Sequence, residues 1–160
     1  MSGTFPIGIL EDSSGSVLVV DDEAQIRGLL VALLKPQGYV VQTAASAEEA
    51  QERLKTLRPD VILLDLHLPG KSGQDVLAQL RADPVTRLLP IIMVTGEATG
   101  EDRLRAIAGG VTDFVAKPFA SEELLVRVKS LVQLKRFTDA LEHAEHVIVA
   151  LARTIDARDA

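Results

Sequence analysis

The sequence predicts an α/β fold in which a parallel sheet carries helices on both faces. Short apolar runs rich in β-branched residues alternate with segments of helical spacing, and this alternation repeats five times from Ser16 onward. Strands and helices that alternate along the chain favour a parallel sheet. Right-handed crossovers then place helices on both of its faces.

Five apolar runs predict the strands. Each is five to seven residues long and bounded by polar or turn-forming residues, as expected of strands buried in a parallel sheet. In chain order they are residues 16–20 (SVLVV), 39–44 (YVVQTA), 60–65 (DVILLD), 89–95 (LPIIMVT) and 111–116 (VTDFVA).

The first two helices are predicted from apolar spacing and from their terminal residues. Apolar side chains recur at helical spacing from Ile26 to Leu34, and residues 35–38 (KPQG) end that helix. Ser46 is suited to cap the second helix, and Glu49 three residues later predicts a capping box.

The remaining helices have equally clear ends. One is predicted over residues 74–82, where Asp83-Pro84 stops it, and another over residues 101–108, closed by Gly109-Gly110. The last begins after Ser121, with two glutamates favourably placed in its first turn.

Composition narrows the class of protein. At 160 residues, 47% hydrophobic and 25% charged, the chain fits one globular domain with a modest extension. It contains no cysteine, which excludes disulfides and cysteine-ligated zinc. No apolar run approaches the roughly 18 residues of a membrane span. Residues 1–15 lack a secretion signal and are interpreted as a flexible lead-in, so a cytoplasmic protein with no membrane partner is expected.

A nucleic-acid partner is not expected. The formal net charge is −6, whereas nucleic-acid binders carry basic patches. Only 3% of the residues are aromatic, which leaves few platforms on which bases could stack.

Polar residues lie where four of the five predicted strands end. They are Asp21 and Asp22 after the first, Asp65 at the third, Thr95 at the fourth and Lys117 after the fifth. Each alone has an ordinary explanation as a turn, cap or strand residue. Because sites in parallel sheets form beyond the carboxyl ends of the strands, the five together predict a functional site.

The residue types indicate a phosphoryl-transfer chemistry. Carboxylates held close together repel one another, and a divalent cation relieves that repulsion. Oxygen ligands favour Mg²⁺, which retains waters and leaves room for phosphate oxygens. A carboxylate can form an acyl phosphate, while a lysine and a hydroxyl stabilise the transferred group.

These motifs resemble the receiver domains of two-component response regulators. The matching segments are VLVVDDE (17–23), DVILLDLHLPGKSG (60–73), IIMVTG (91–96) and DFVAKPF (113–119). The resemblance covers residues 16–135 and implies a flavodoxin-like (βα)5 fold with strand order 2-1-3-4-5. It also implies a phosphoryl-accepting switch, not an enzyme, that is served by a sensor histidine kinase or a phosphotransfer protein.

The resemblance assigns roles around the acceptor. Asp65 is the implied phosphoacceptor, and Asp21 and Asp22 are implied to bind Mg²⁺ directly or through water. The backbone carbonyl of His67 would complete the metal site. His67 and Glu97 occupy variable positions whose side chains tune loss of the phosphoryl group, and an exposed loop residue is the expectation for His67.

Three further roles come from the same resemblance. Thr95 is implied to bind the phosphoryl group and to shift toward it on activation. Phe114 occupies the position of the switch aromatic, but it lacks the hydroxyl of tyrosine, so its switching must depend on packing. Lys117 is implied to pair with the phosphate, before a cis bond to Pro118, and Gly96 leaves the acceptor accessible.

The final helix continues beyond the end of a receiver. No Pro or Gly interrupts residues 124–155, and apolar residues follow alternating steps of three and four. Such a heptad seam predicts self-association, most simply as a homodimer, although a bundle or burial against another domain fits as well. The seam comprises Leu134, Phe137, Leu141, Ala144, Ile148, Leu151 and Ile155.

The terminal residues indicate a class of output domain. Residues 141–160 resemble the helix that leads into HD-GYP output domains, which hydrolyse cyclic di-GMP, although no metal-binding motif of that domain is present. Residues 136–160 are therefore interpreted as a helical linker toward an absent output domain. His143 and His146 are interpreted as exposed helix residues, not as phosphoacceptors.

Three other functions remain as alternatives. A haloacid-dehalogenase-like phosphatase also uses an aspartate at a strand end, but it resembles Asp-x-Asp, whereas residues 65–67 are Asp-Leu-His. A dinucleotide oxidoreductase lacks its glycine-rich motif here. A constitutive dimerisation scaffold with a non-switching receiver is the third alternative.

Overall fold

The structure, a computed structural model, describes residues 15–158, in which five strands alternate with five α-helices. The strands are β1 (Ser16–Val20), β2 (Val40–Ala44), β3 (Val61–Leu64), β4 (Ile91–Thr95) and β5 (Asp113–Ala116). The helices are α1 (Ala24–Leu34), α2 (Ala47–Leu54), α3 (Gly73–Ala82), α4 (Gly100–Ala108) and α5 (Ser121–Arg158). The strand ends lie within two residues of those predicted, so the alternation between apolar runs and helical apolar spacing in the sequence located every strand.

The five strands form one parallel sheet in the order β2-β1-β3-β4-β5, which confirms the predicted flavodoxin-like topology. The chain reverses its direction of winding between β1 and β3, which are neighbours in the sheet. In register, Val20 pairs with Leu64 and Thr95 pairs with Ala116. The residues that come after these pairs therefore meet at the carboxyl edge of the sheet, where doubly wound folds bind ligands.

Two apolar layers hold the helices to the sheet. Because side chains alternate across a strand, Leu18 and Val20 of β1 face α2, α3 and α4, whereas Val17 and Val19 face α1 and α5. All four are at most 1% exposed. Burial on both faces explains why β1, β3 and β4 are continuous apolar runs and not alternating ones.

Helix α5 is only partly covered by the domain. Leu124, Val128 and Val132 are buried against the sheet, with at most 3% of their surface exposed. Residues 139–157 are all exposed, so the second half of the helix extends beyond the core. The helix runs without a break through residue 135, and the division there between domain and linker stays a prediction.

Two local predictions need correction. Ser46 caps α2 by accepting the N–H of Glu49, but the Glu49 carboxylate accepts the N–H of Ala45 instead of that of Ser46. The predicted capping box is therefore half formed. Residues 1–14 of the predicted lead-in lie outside the described residues, whereas Gly15 is buried and its carbonyl oxygen accepts the N–H of Val40 at 2.9 Å.

Candidate functional site

The structure brings together the three carboxylates that the sequence placed at strand ends. Asp21, Asp22 and Asp65 each offer an oxygen within 4.8 Å of the others. Asp21 and Asp65 are 2% and 5% exposed, whereas Asp22 is exposed. A cluster of acidic oxygens with one open side suits a hard divalent cation that keeps part of its water shell.

Lys117 reaches into this cluster from the end of β5. Its Nζ donates a hydrogen bond to Asp21 Oδ2 at 2.7 Å and lies 3.6 Å from Asp65 Oδ2 and 3.9 Å from Glu23 Oε1. The peptide bond between Lys117 and Pro118 is cis, as the resemblance implied. One ammonium thus balances part of the negative charge of the cluster.

The charges in this small volume change the acidity of Asp65. Burial raises the pKa of its carboxyl group, and repulsion from Asp21 raises it further, while Lys117 and the backbone N–H of His67 oppose that rise. Burial works against the charged form of Lys117, but its hydrogen bond to Asp21 and the nearby carboxylates raise its pKa overall. The negative charge of the Asp65 carboxylate is therefore only partly compensated by its surroundings.

Thr95 ends β4 beside the cluster. It is 1% exposed, and within residues 15–158 its hydroxyl oxygen is buried without a partner at hydrogen-bond geometry, although the hydroxyl stands near enough to Asp65 to lower the pKa of that carboxyl group. Buried hydroxyls almost always have a partner, so one without a partner marks a position prepared for an additional group. The hydroxyl can serve a ligand oxygen that arrives at the site.

His67 and Glu97 meet across the mouth of the site. The backbone N–H of His67 donates to Asp65 Oδ1 at 3.3 Å, and its imidazole Nε2 contacts the backbone oxygen of Glu97. His67 is exposed on a loop, which agrees with the expectation from the sequence. The role of its carbonyl oxygen as a metal ligand stays a prediction.

Three supporting residues were missed by the sequence analysis. Arg27 donates from Nη1 to the backbone oxygen of Asp21 at 2.8 Å. Gly73 begins α3 so close to Asp65 that a methyl group there would collide with the Asp65 carbonyl oxygen. Glu23 adds a third carboxylate within 4 Å of Lys117. Glu23 and Gly73 are the last residues of two segments that carry the resemblance, whereas Arg27 lies outside them, and no role was assigned to any of the three.

Phe114 lies on the same side of the sheet as Thr95. Met93 pairs with Phe114 in register, and Thr95 stands two residues after Met93. The Phe114 ring is half-buried and packs against the core layer under α3 and α4. Thr95 and Phe114 are thus diagonal neighbours on adjacent strands, at a separation that an aromatic side chain can bridge.

The predicted seam of α5 is largely exposed in this single chain. Phe137 and Ile148 are each 66% exposed, and Ala144 is exposed with them. A row of large apolar side chains on one helix face is more exposed apolar surface than scattered surface residues explain. The other large seam residues are 48–61% exposed: Leu134, Leu141, Leu151 and Ile155.

Within residues 15–158, no helix is both long and apolar enough to cross a membrane.

Comparison with known proteins agrees with this geometry. The model of the family described as "Response regulator receiver domain" matches residues 17–129. The chain is 40% identical over 117 residues to the phosphate regulon transcriptional regulatory protein PhoB of Rhizobium meliloti, covering 73% of this chain and 52% of that protein. It is 38% identical over 133 residues to the response regulator PleD of Caulobacter vibrioides, covering 82% and 29%.

A solved structure agrees as well. The chemotaxis protein CheY4 of Vibrio cholerae superposes with a TM-score of 0.69 at 34% identity, covering 72% of this chain and 97% of that one. The chain spans about half or less of the two curated relatives named above.

Proposed function

This chain belongs to the response regulator receiver family, and on that basis we propose that Asp65 is its phosphoacceptor and that Mg²⁺ binds beside it. The observation that carries the proposal is the buried Asp65 carboxylate, which has a lysine 3.6 Å away and an unpartnered threonine hydroxyl at the end of the neighbouring strand. Receiver domains of two-component systems take their phosphoryl group from histidine kinases or phosphotransfer proteins.

The donor set fits Mg²⁺. Asp21, Asp22 and Asp65 supply only oxygen ligands, and the raised pKa of Asp65 reflects its burial and, after it, repulsion from Asp21, which a cation would relieve. The backbone carbonyl of His67 is our proposed fourth protein ligand. When bound, Mg²⁺ neutralises charge on the phosphoryl oxygens and on the carboxylates around them.

Asp65 supplies the nucleophile in the proposed transfer. A carboxylate oxygen forms a bond to phosphorus as the bond to the donor nitrogen or oxygen breaks, and the leaving group keeps the electron pair. Lys117 stands close enough to move from Asp21 toward the new phosphoryl oxygens. Thr95 can then donate its free hydroxyl to one of them.

The same contacts suggest how the domain switches. A phosphoryl group adds negative charge and acceptor oxygens, which favour movement of Thr95 toward Asp65. Because Phe114 is a diagonal neighbour of Thr95, such a movement frees space into which its ring can turn. We propose that this change alters the surface of α4 and β5, through which association is controlled.

Helix α5 is the proposed output path. Its exposed seam from Leu134 to Ile155 fits a second copy of the same helix, because both would bury apolar surface that a single chain exposes. On this basis the chain is proposed to form a homodimer, and residues 136–160 are the proposed linker to an output domain.

The class of output is a further proposal. The likeness of residues 141–160 to the helix that precedes HD-GYP domains supports a cyclic di-GMP phosphodiesterase in the longer protein. PhoB, one of the two curated relatives compared above, is named a transcriptional regulatory protein, which supports a DNA-binding output instead. Assaying the complete protein for cyclic di-GMP hydrolysis decides between them, and DNA binding without hydrolysis contradicts the phosphodiesterase.

The decisive experiment for the acceptor is chemical. Purified chain, Asp65→Asn and Asp156→Asn are incubated with acetyl phosphate and Mg²⁺, and their masses are measured. We expect a Mg²⁺-dependent, acid-stable and base-labile adduct in the wild type and in Asp156→Asn but not in Asp65→Asn. A folded wild type without an adduct would support the non-switching scaffold, and steady hydrolysis of small phosphate esters would support the phosphatase.

A further inference from the structure

Arg103 of α4 covers the ring of Phe114. The carbon of its guanidinium group lies 4.8 Å from the ring centroid, a distance at which a cation is attracted to the face of an aromatic ring. Arg103 is exposed, whereas the ring below it is half-buried against the core. The contact therefore joins a solvent-facing helix to the strand that carries the proposed switch aromatic.

The nearest acidic residue on β5 is already occupied. Asp113 accepts the N–H of Phe114 at 2.8 Å through Oδ1 and pairs with Arg127 through Oδ2. Within residues 15–158, the Phe114 ring is the partner observed for Arg103. Among the residues that the structure describes, no ion pair draws the guanidinium away from the ring.

Helix α4 is well placed to move with this contact. Its only buried residue is Ala106, while Leu104 and Ile107 are 68% and 64% exposed. Its packing is therefore light, and the contact of Arg103 with Phe114 adds a direct link between this helix and β5. A ring that turned inward toward Thr95 would leave the guanidinium without its partner.

We propose that Arg103 is a positioning residue that holds Phe114 in its unphosphorylated position through a cation–π contact. This inference rests on the proposed function of Asp65. Phenylalanine has no hydroxyl with which to bond in either position, so the attraction of Arg103 for the ring face replaces the polar interaction that a tyrosine could make. Removing the cation shifts the equilibrium toward the inward ring and the phosphorylated conformation.

The test uses Arg103→Gln and Arg103→Lys, with Arg105→Gln as the matched control. Arg105 lies on the same exposed helix, but it has no such contact with Phe114 among the described residues. The position of the Phe114 ring signals is measured by NMR between two end points, the free protein and the protein saturated with Mg²⁺ and beryllofluoride. The rate of phosphorylation by acetyl phosphate is measured alongside.

We expect Arg103→Gln to increase the ratio of inward to outward ring, and the phosphorylation rate, by about two- to five-fold, the strength of an exposed cation–π contact. Arg103→Lys should lie between it and the wild type. In a Phe114→Leu background, which has no ring signal, Arg103→Gln should leave the phosphorylation rate unchanged, since the contact is already lost.

The two proposals fail in different ways. A wild type that accepts neither a phosphoryl group nor beryllofluoride contradicts the proposed function. A wild type that is phosphorylated normally, with Arg103→Gln indistinguishable from Arg105→Gln in ring signals and rate, overturns the role of Arg103 alone.

Discussion

Lys117 makes its hydrogen bond to Asp21 and only a longer ion pair to Asp65. Its ammonium donates to Asp21 Oδ2 at 2.7 Å and lies 3.6 Å from Asp65 Oδ2, although both carboxylates are buried. In the absence of a phosphoryl group, the lysine thus neutralises the charge of Asp21, the proposed metal ligand, more fully than that of Asp65, the proposed acceptor. Asp65 is left with a raised pKa and room for a new partner.

Replacing Lys117 with Met should destabilise the metal-free domain. The side chains of Asp21 and Asp65 are 3% and 6% exposed, so loss of the ammonium leaves two buried carboxylates without their cation. Breaking a buried ion pair in this way costs about 3 kcal/mol in the free energy of unfolding. Urea denaturation with and without Mg²⁺ measures the loss, part of which Mg²⁺ should restore.

Lys129→Met is the control for that substitution. Lys129 is exposed on α5, and its loss should change the free energy of unfolding by less than about 0.5 kcal/mol. Equal stability of the two variants would show that the buried charges are compensated by something other than Lys117.

Asp65→Asn should stabilise the metal-free protein at neutral pH. The folded pKa of Asp65 is raised, so ionisation of this group opposes folding at any pH above that pKa. The amide removes the opposing charge, so we expect a higher free energy of unfolding than in the wild type. Thermal denaturation between neutral and acidic pH measures it.

The stability difference between Asp65→Asn and the wild type should depend on pH. The difference between Asp65→Asn and the wild type should be full above the folded pKa. It should shrink as the pH falls through that value and vanish below the unfolded pKa, where the wild-type carboxyl is protonated in both states. Mg²⁺ should also reduce the difference, because it binds and stabilises the wild type preferentially. A variant less stable than the wild type at neutral pH would contradict the raised pKa.

Gly73→Ala should displace the loop that carries Asp65. The added methyl group would collide with the Asp65 carbonyl oxygen and lie 2.8 Å from the Leu66 Cα, so the loop that carries Asp65 must move. Because both neighbours are backbone atoms, we expect a loss of about 1–3 kcal/mol in stability together with slower phosphorylation. Denaturation and adduct formation are measured on the same preparation.

Gly28→Ala is the matched control within a helix. Nothing lies within 4 Å of the position where its methyl group would stand in α1. Alanine should therefore stabilise the protein by about 0.5–1 kcal/mol through helix propensity. If Gly73→Ala behaved like Gly28→Ala, the close approach of α3 to Asp65 would be wrong.

The α5 seam should control association. Leu141→Glu places a charge within the proposed interface, and each dimer loses two buried leucines worth about 1.5–3 kcal/mol each. Dimerisation should therefore weaken by at least about 100-fold. Light scattering over a concentration series measures it, with and without beryllofluoride.

Val149→Glu is the control for the seam. Val149 is 44% exposed and follows Ile148, but it lies outside the a and d positions of the heptad that form the seam. It should leave association largely unchanged. A wild type that is monomeric at every concentration would remove the homodimer and favour burial of the seam against another domain.

Much of the fold was predictable because the physics involved is local. Apolar runs such as residues 61–64 are long enough only for strands, and Pro, Gly and capping residues mark where helices stop. The errors arose where two local solutions compete, as when Glu49 bonds the N–H of Ala45 instead of Ser46. Such choices depend on side-chain conformations that a sequence pattern does not specify.

The sequence by itself determined which residues would meet. In a parallel sheet every carboxyl end lies at one edge, so the positions of Asp21, Asp65, Thr95 and Lys117 after apolar runs were enough to bring them together. Only the tertiary structure decided how they pair. Lys117 and Asp21 are 96 residues apart in the sequence, and the lysine has three carboxylates within 4 Å. Which of the three accepts its hydrogen bond depends on distances and burial in the folded protein. The free hydroxyl of Thr95 and the guanidinium of Arg103 over Phe114 arise in the same way, from packing between elements that no local pattern connects.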